Sequence, residues 1–171
     1  MIRMFVRDKH RANAVGRNAD IVKRRSGLAA AFARVNHDAA VRRAYDDGYR
    51  VFIDGMAEGF DLLAAEAVLK LREEYPDVHL MAAFPAPESR KNHSAEVCER
   101  IERIVAKASI AVYAYTKYEK GCELRRNLYM VSRAGRIIGY YNGLSSGTAH
   151  CWNQAQLRGL ETVNLYGGEA L

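Results

Sequence analysis

Tyr49-Arg-Val-Phe-Ile-Asp-Gly-Met-Ala-Glu-Gly-Phe-Asp61 decides how the rest of the chain is read. A short run of β-branched and aromatic residues, Tyr49 to Ile53, reads as a buried strand. Two glycines four apart, Gly55 and Gly59, then form a loop, and Asp61 opens an amphipathic helix that runs to Tyr75 and is closed by Pro76. Glycine permits positive φ and close approach of a ligand to backbone N–H groups, and the helix start behind the loop carries partial positive charge. Asp61 is also a plausible N-cap. A bland strand-to-helix turn would use the same residues, so this loop alone leaves both readings open.

The same unit recurs outward from that stretch. Val78 to Phe84, Ala108 to Tyr113, Arg136 to Tyr141 and Thr162 to Tyr166 read as further strands. Ser94 to Lys107, Glu123 to Ser132 and Thr148 to Leu157 read as the intervening helices. Upstream, Gly27 to Asp47 is Ala-rich and helical in pattern, ending at Gly48, a suitable C-cap. Ile2 to Val6 fits a first strand, edge or central, and Arg7 to Ser26 is polar, basic and aperiodic, a loop or lid. Strands separated by single helices predict right-handed crossovers and an α/β fold: a Rossmann-like three-layer α/β/α arrangement with a mostly parallel sheet of about five to six strands. One domain over residues 1–171 is expected for a chain of 171 residues.

Composition sets the outer bounds. Hydrophobic residues are 49% and charged residues 27%, with 3 Pro and 13 Gly, which excludes collagen-like and low-complexity chains. No apolar run reaches the ~18 residues of a membrane span and the first residues lack a signal-peptide pattern, so a cytoplasmic location without membrane contact is expected. Cys98, Cys122 and Cys151 are odd in number and lack CxxC spacing, which predicts reduced thiols. The net charge of +6 is concentrated early: residues 1–50 hold twelve Lys/Arg against five Asp/Glu. Such a segment serves a solvated face or weak nucleic-acid binding through phosphates.

In a doubly wound sheet the loops after strands hold the ligand, so three loops carry the functional candidates. The first contributes Asp54, Gly55, Met56, Gly59 and Asp61. The second, Tyr140-Tyr-Asn-Gly-Leu-Ser-Ser-Gly-Thr148, contributes Asn142, Gly143, Ser145, Ser146, Gly147 and Thr148, small and hydroxyl-bearing residues suited to a phosphate on exposed N–H groups. The third, Tyr115 to Asn127, contributes Arg125, Arg126 and Asn127, whose guanidinium groups suit phosphate or carboxylate but also occur on ordinary helix surfaces. Neither Walker A nor GxGxxG spacing is present. The five histidines show no ligand spacing, so no metal and no required cofactor are expected. Glu58, in the first loop, and Glu66, on the helix behind it, are the candidate acid/base carboxylates.

At these loops the chain resembles the SLOG superfamily of DprA- and Lonely-Guy-related Rossmann proteins, in its YpsA-like branch. The resemblance rests on Phe52 to Glu66, on Glu73 to Asp77 with Leu80 to Pro85, on Tyr115 to Lys117 with Gly121 to Val131, and on Tyr141 to Gly143 with Ser146 to Thr148. It covers about residues 45–166. Asp54 stands where the family carries serine or glycine, Ser146 replaces the first glycine of GGT, and the family's motif after strand one is reduced to His10-Arg11. Thr148 is followed by Ala149-His-Cys-Trp152 rather than by the glutamate that Lonely-Guy phosphoribohydrolases use.

The resemblance implies binding or sensing of a nucleotide or nucleotide-derived small molecule, ADP-ribose-like or NAD-related, rather than catalysis, and by the superfamily's habit a homodimer. The alternatives are a nucleotide N-glycosidase using Glu58 or Glu66, and DprA-like single-stranded DNA binding through residues 1–50.

Overall fold

A computed structural model describes residues 4–7 and 28–166, with side chains from 37 to 166. Strand β1 is Met4–Arg7, followed by α1 (Leu28–Asp46), β2 (Val51–Asp54), α2 (Phe60–Glu74) and β3 (His79–Phe84). A short 3-10 turn, Pro87–Lys91, leads to α3 (Ala95–Lys107), β4 (Ile110–Tyr113), α4 (Cys122–Val131), β5 (Arg136–Gly139), α5 (Gly147–Leu157) and β6 (Glu161–Asn164). The strands form one sheet in the order β4-β3-β2-β1-β5-β6. The α/β architecture expected from the strand–helix alternation is therefore present.

β2, β3 and β4 are parallel, as are β5 and β6, while β1 lies between β2 and β5 and runs antiparallel to both. Since β1 opposes each neighbour, β2 and β5 point the same way, and five strands present their carboxyl ends to one edge. Strand–helix alternation leaves the direction of the first strand open: β1 is followed by α1 and β2 yet pairs antiparallel with β2.

Period two divides the core between the sheet's faces. Phe52, Leu80, Ala82, Phe84 and Ile138 join residues of α1, α2 and α3 in one apolar cluster. Their sequence neighbours Ile53, Ala83 and Ile137 join Met130, Val131, Cys151 and Trp152 of α4 and α5 in the other. Both faces are covered, which is why the strands read as continuous apolar runs instead of alternating ones.

The helix ends follow local chemistry. Gly59, at φ 101°, precedes α2, so the helix begins one residue earlier than expected and Asp61 sits inside its first turn rather than at its cap. Pro76 follows the other end, where Tyr75 is extended. Ser94 caps α3, its Oγ accepting the Val97 N–H at 3.4 Å. Glu66, half-exposed, accepts from both Nε and Nη2 of Arg100 at 2.7 and 2.8 Å, fastening α2 to α3. Among the described residues no helix is long and apolar enough to cross a membrane.

Leu80 is fully buried at the centre of the larger cluster. Leu80→Ala is expected to cost about 2–5 kcal/mol of unfolding free energy, read from denaturant titration with an unchanged m-value.

Candidate functional site

The carboxyl ends of β2 and β3 meet beneath one side chain. Cys122, Arg126 and Met130 recur every four residues along the buried stripe of α4. Arg126 thus enters the interior, where Nη1 donates to the Gly55 carbonyl and, at 3.1 Å, to the Ala83 carbonyl. Its Nε donates to Asn127 Oδ1 at 3.0 Å. Arg125, one residue away and about 100° around the helix, is exposed and lies over the Tyr115 ring at 5.2 Å.

Asp54 is buried at the end of β2, with Oδ1 accepting the Met56 N–H at 2.6 Å. This Asx turn holds Met56 at φ 56°, a left-handed conformation rare outside glycine. Burial, reinforced by the neighbouring Asp61 charge, raises the Asp54 carboxyl well above the usual carboxylate range. Asp61 Oδ2 accepts the Ala57 N–H at 3.2 Å. At Gly55 an added Cβ would come within 2.9 Å of that same Oδ2 and 3.1 Å of Arg126 Nη1, so a larger residue there would have to displace the Asp61 or Arg126 side chain.

Gly55, Met56, Ala57 and Arg126 wall one side of a cavity of about 230 Å³ at the carboxyl ends of β2 and β3. Gly55, Met56 and Arg126 were legible candidates. Phe84 at the end of β3, Pro85, Ser89, Asn92 and His93 from the β3–α3 connection, and Tyr118 and Glu123 at the entry to α4, complete it without having been singled out as site residues. The rule that ligands sit after strands applied equally to the β3–α3 connection. Glu58 is exposed, with Oε2 3.6 Å from His93 Nδ1. Tyr118 donates its hydroxyl to Glu123 Oε1, and the Cys122 thiol lies 3.6 Å from Oε2. Burial works to raise the Glu123 carboxyl, but the Tyr118 hydroxyl, a backbone N–H and the thiol outweigh it and hold it below its ordinary range.

The second loop stands across β1. Phe60 at the start of α2 and Tyr140 at the end of β5 have ring centroids 6.3 Å apart, and Tyr140 meets Tyr166 edge-on at 5.0 Å. Asn164 anchors the loop's root, accepting the Tyr141 N–H at 3.0 Å and donating to the Tyr141 carbonyl at 2.9 Å. Within the loop Asn142 Oδ1 accepts the Leu144 N–H at 3.1 Å, Gly143 has φ 82°, and Ser146 caps α5 by accepting the Ala149 N–H at 3.2 Å. Asn142 to Ser146 are exposed and Thr148 is buried. Between Tyr140 and Thr148 there is no carboxylate. Residues 1–3 and 8–27, which carry His10, Arg11 and most of the basic segment, lie outside the described residues.

A family model for the YspA SLOG family matches residues 34–162. The chain belongs to that family. It is 33% identical over 123 residues to an uncharacterized SPbeta prophage-derived protein, YoqJ, of Bacillus subtilis strain 168, covering 65% of this chain and 71% of that one. It is 27% identical over 105 residues to the UPF0398 protein YpsA of the same strain, covering 60% of this chain and 58% of YpsA. Membership points to a nucleotide-related function.

The buried acid supplies a pH test. Because the folded-state pKa of Asp54 is raised, its stabilising contribution is complete at low pH and is lost as pH climbs from the ordinary carboxylate range toward the folded value. Asp54→Asn mimics the protonated acid, so its stability relative to the parent is expected to grow as pH rises above the ordinary carboxylate range in paired denaturant titrations. A constant difference would show that Asp54 is ionised in the fold.

Proposed function

We propose that the chain binds a nucleotide or nucleotide-derived molecule across the carboxyl ends of β2 and β5, with a phosphate on the β5–α5 loop, and that its task is binding or sensing. The observation that carries this reading is a division of charge. The loop from Asn142 to Thr148 offers hydroxyls, a side-chain amide, glycines and a helix start with no carboxylate. At the root of the opposite loop Asp54 is buried, and burial pushes its carboxyl well above the usual carboxylate range. β2 and β5 are separated by one strand, so their loops stand about 10 Å apart, a span that a phosphorylated nucleoside bridges. The half-exposed rings of Tyr140 and Tyr166 at the rim supply faces against which a base can stack.

The carboxylates considered for hydrolysis favour binding over turnover. Glu66 is committed to Arg100, and Glu58 points outward beside His93.

AMP or ADP is expected to raise the melting temperature of the full chain, a ligand at 100 times its Kd adding about 2.7 kcal/mol to stability. Gly147→Asp, which puts charge and bulk at the start of α5, is expected to abolish that shift while leaving the unliganded melt cooperative. Equal shifts for parent and variant would overturn the site. Release of free base that Glu58→Gln abolishes would replace binding with hydrolysis.

A further inference from the structure

A groove of about 450 Å³ runs between the second halves of α2 and α3, on the sheet face opposite α4 and α5. That volume lies within the roughly 300–1,000 Å³ of small-molecule sites. Leu69, Ile104 and Ala106 supply its apolar surface, which the alkyl stems of the long basic side chains around it extend. Arg100, Arg103 and Lys107 follow one another at spacings of three and four along one face of α3, and Lys70 stands across the groove on α2. Against these four cations the lining holds two carboxylates, Glu66 and Glu73. The cations are not equally engaged. Glu66 takes Arg100 through two hydrogen bonds. Lys70 pairs with Asp38 and Arg103 with Glu99, both in exposed pairs of the kind that contribute little. Lys107 has no ion-pair partner among the described residues. Like charges four apart on a helix repel, so Arg103 and Lys107 gain from an anion between them. Glu73 and the partial negative charge at the end of α3 limit that anion to a single charge.

We propose that this groove binds a small amphipathic monoanion, an aliphatic carboxylate, with its head between Arg103 and Lys107 and its chain along Leu69, Ile104 and Ala106. The guanidinium of Arg103 suits a carboxylate through paired N–H donors, and Lys107 adds a point charge. Chain and head are both needed, since the apolar surface gives affinity without direction and the exposed cations give direction with little affinity. The groove lies toward the amino ends of β3 and β4, beside the last turns of helices whose starts border the carboxyl edge. It is therefore a second site, and it does not rest on the nucleotide reading of the β5–α5 loop.

The test is calorimetric titration of the full chain with octanoate, with octanol and acetate as the chain and the head alone. The parent is expected to bind octanoate saturably at one site, about tenfold more tightly than octanol, and acetate not measurably. Lys107→Glu and Arg103→Glu are each expected to weaken octanoate about tenfold and leave octanol unchanged. Ala106→Trp, which fills the groove from an exposed position, is expected to remove both ligands. Arg158→Glu reverses an exposed cation after α5, on the other face of the sheet, and is expected to change nothing. Thermal melts of every variant report folding. Equal affinity for octanoate and octanol, octanoate binding untouched in Lys107→Glu or in Ala106→Trp, or the same loss in Arg158→Glu overturns the site. So does sedimentation with phosphatidylglycerol vesicles that Lys107→Glu abolishes, in the absence of saturable octanoate binding, since the cations would then serve a lipid surface.

Discussion

One guanidinium organises the working edge of this sheet. Arg126 reaches from α4 through the interior to the carbonyls of Gly55, just beyond the end of β2, and Ala83, near the end of β3. A buried carbonyl without a donor costs about 1–3 kcal/mol, and Arg126 satisfies two with a single side chain. The arrangement fixes more than energy. It sets the height of the β2–α2 loop above the sheet, brings α4 against β3, and thereby determines where Tyr118 and Glu123 stand relative to Gly55. The spatial demand on Gly55 follows from the same placement, since Arg126 and Asp61 close the space where its Cβ would be.

Around that fastening, charge is sorted by position. Glu123 lines the cavity, burial pushes the Asp54 carboxyl beneath the loop well above its ordinary range, and the loop across β1 has no carboxylate. Family membership supplies the nucleotide context. The groups that make the site asymmetric come from three different connections, so no single segment contains the pattern.

The layered fold was legible because its causes are local. Apolar runs such as Phe52-Ile53 and Ile137-Ile138 bury one residue on each face, and Pro76 closes α2. The direction of β1 was not legible, since nothing in four residues dictates it and the connection that follows is long. Arg125 and Arg126 looked equivalent as a pair. The four-residue spacing of Cys122, Arg126 and Met130 distinguishes them, and that signal was present in the chain. Asp54 was misleading for a physical reason: sequence shows a carboxylate, whereas its charge is decided by a burial that only the packed loop creates. Tyr118 and His93 join the cavity through the paths of irregular connections, which carry no periodicity to read.

The antiparallel strand at the centre also has a temporal meaning. Met4 to Val6 pair on one side with residues 52–54 and on the other with residues 136–138, so the middle of the sheet joins segments separated by most of the chain. A growing polypeptide can assemble β2, β3 and β4 with their helices as each emerges, since those contacts are close in sequence. The seam between the two halves closes only after β5 has been synthesised. Until then the inner edge of β2 has at most a single strand against it and no second half behind it, which makes completion of the crevice a late event in the birth of the molecule.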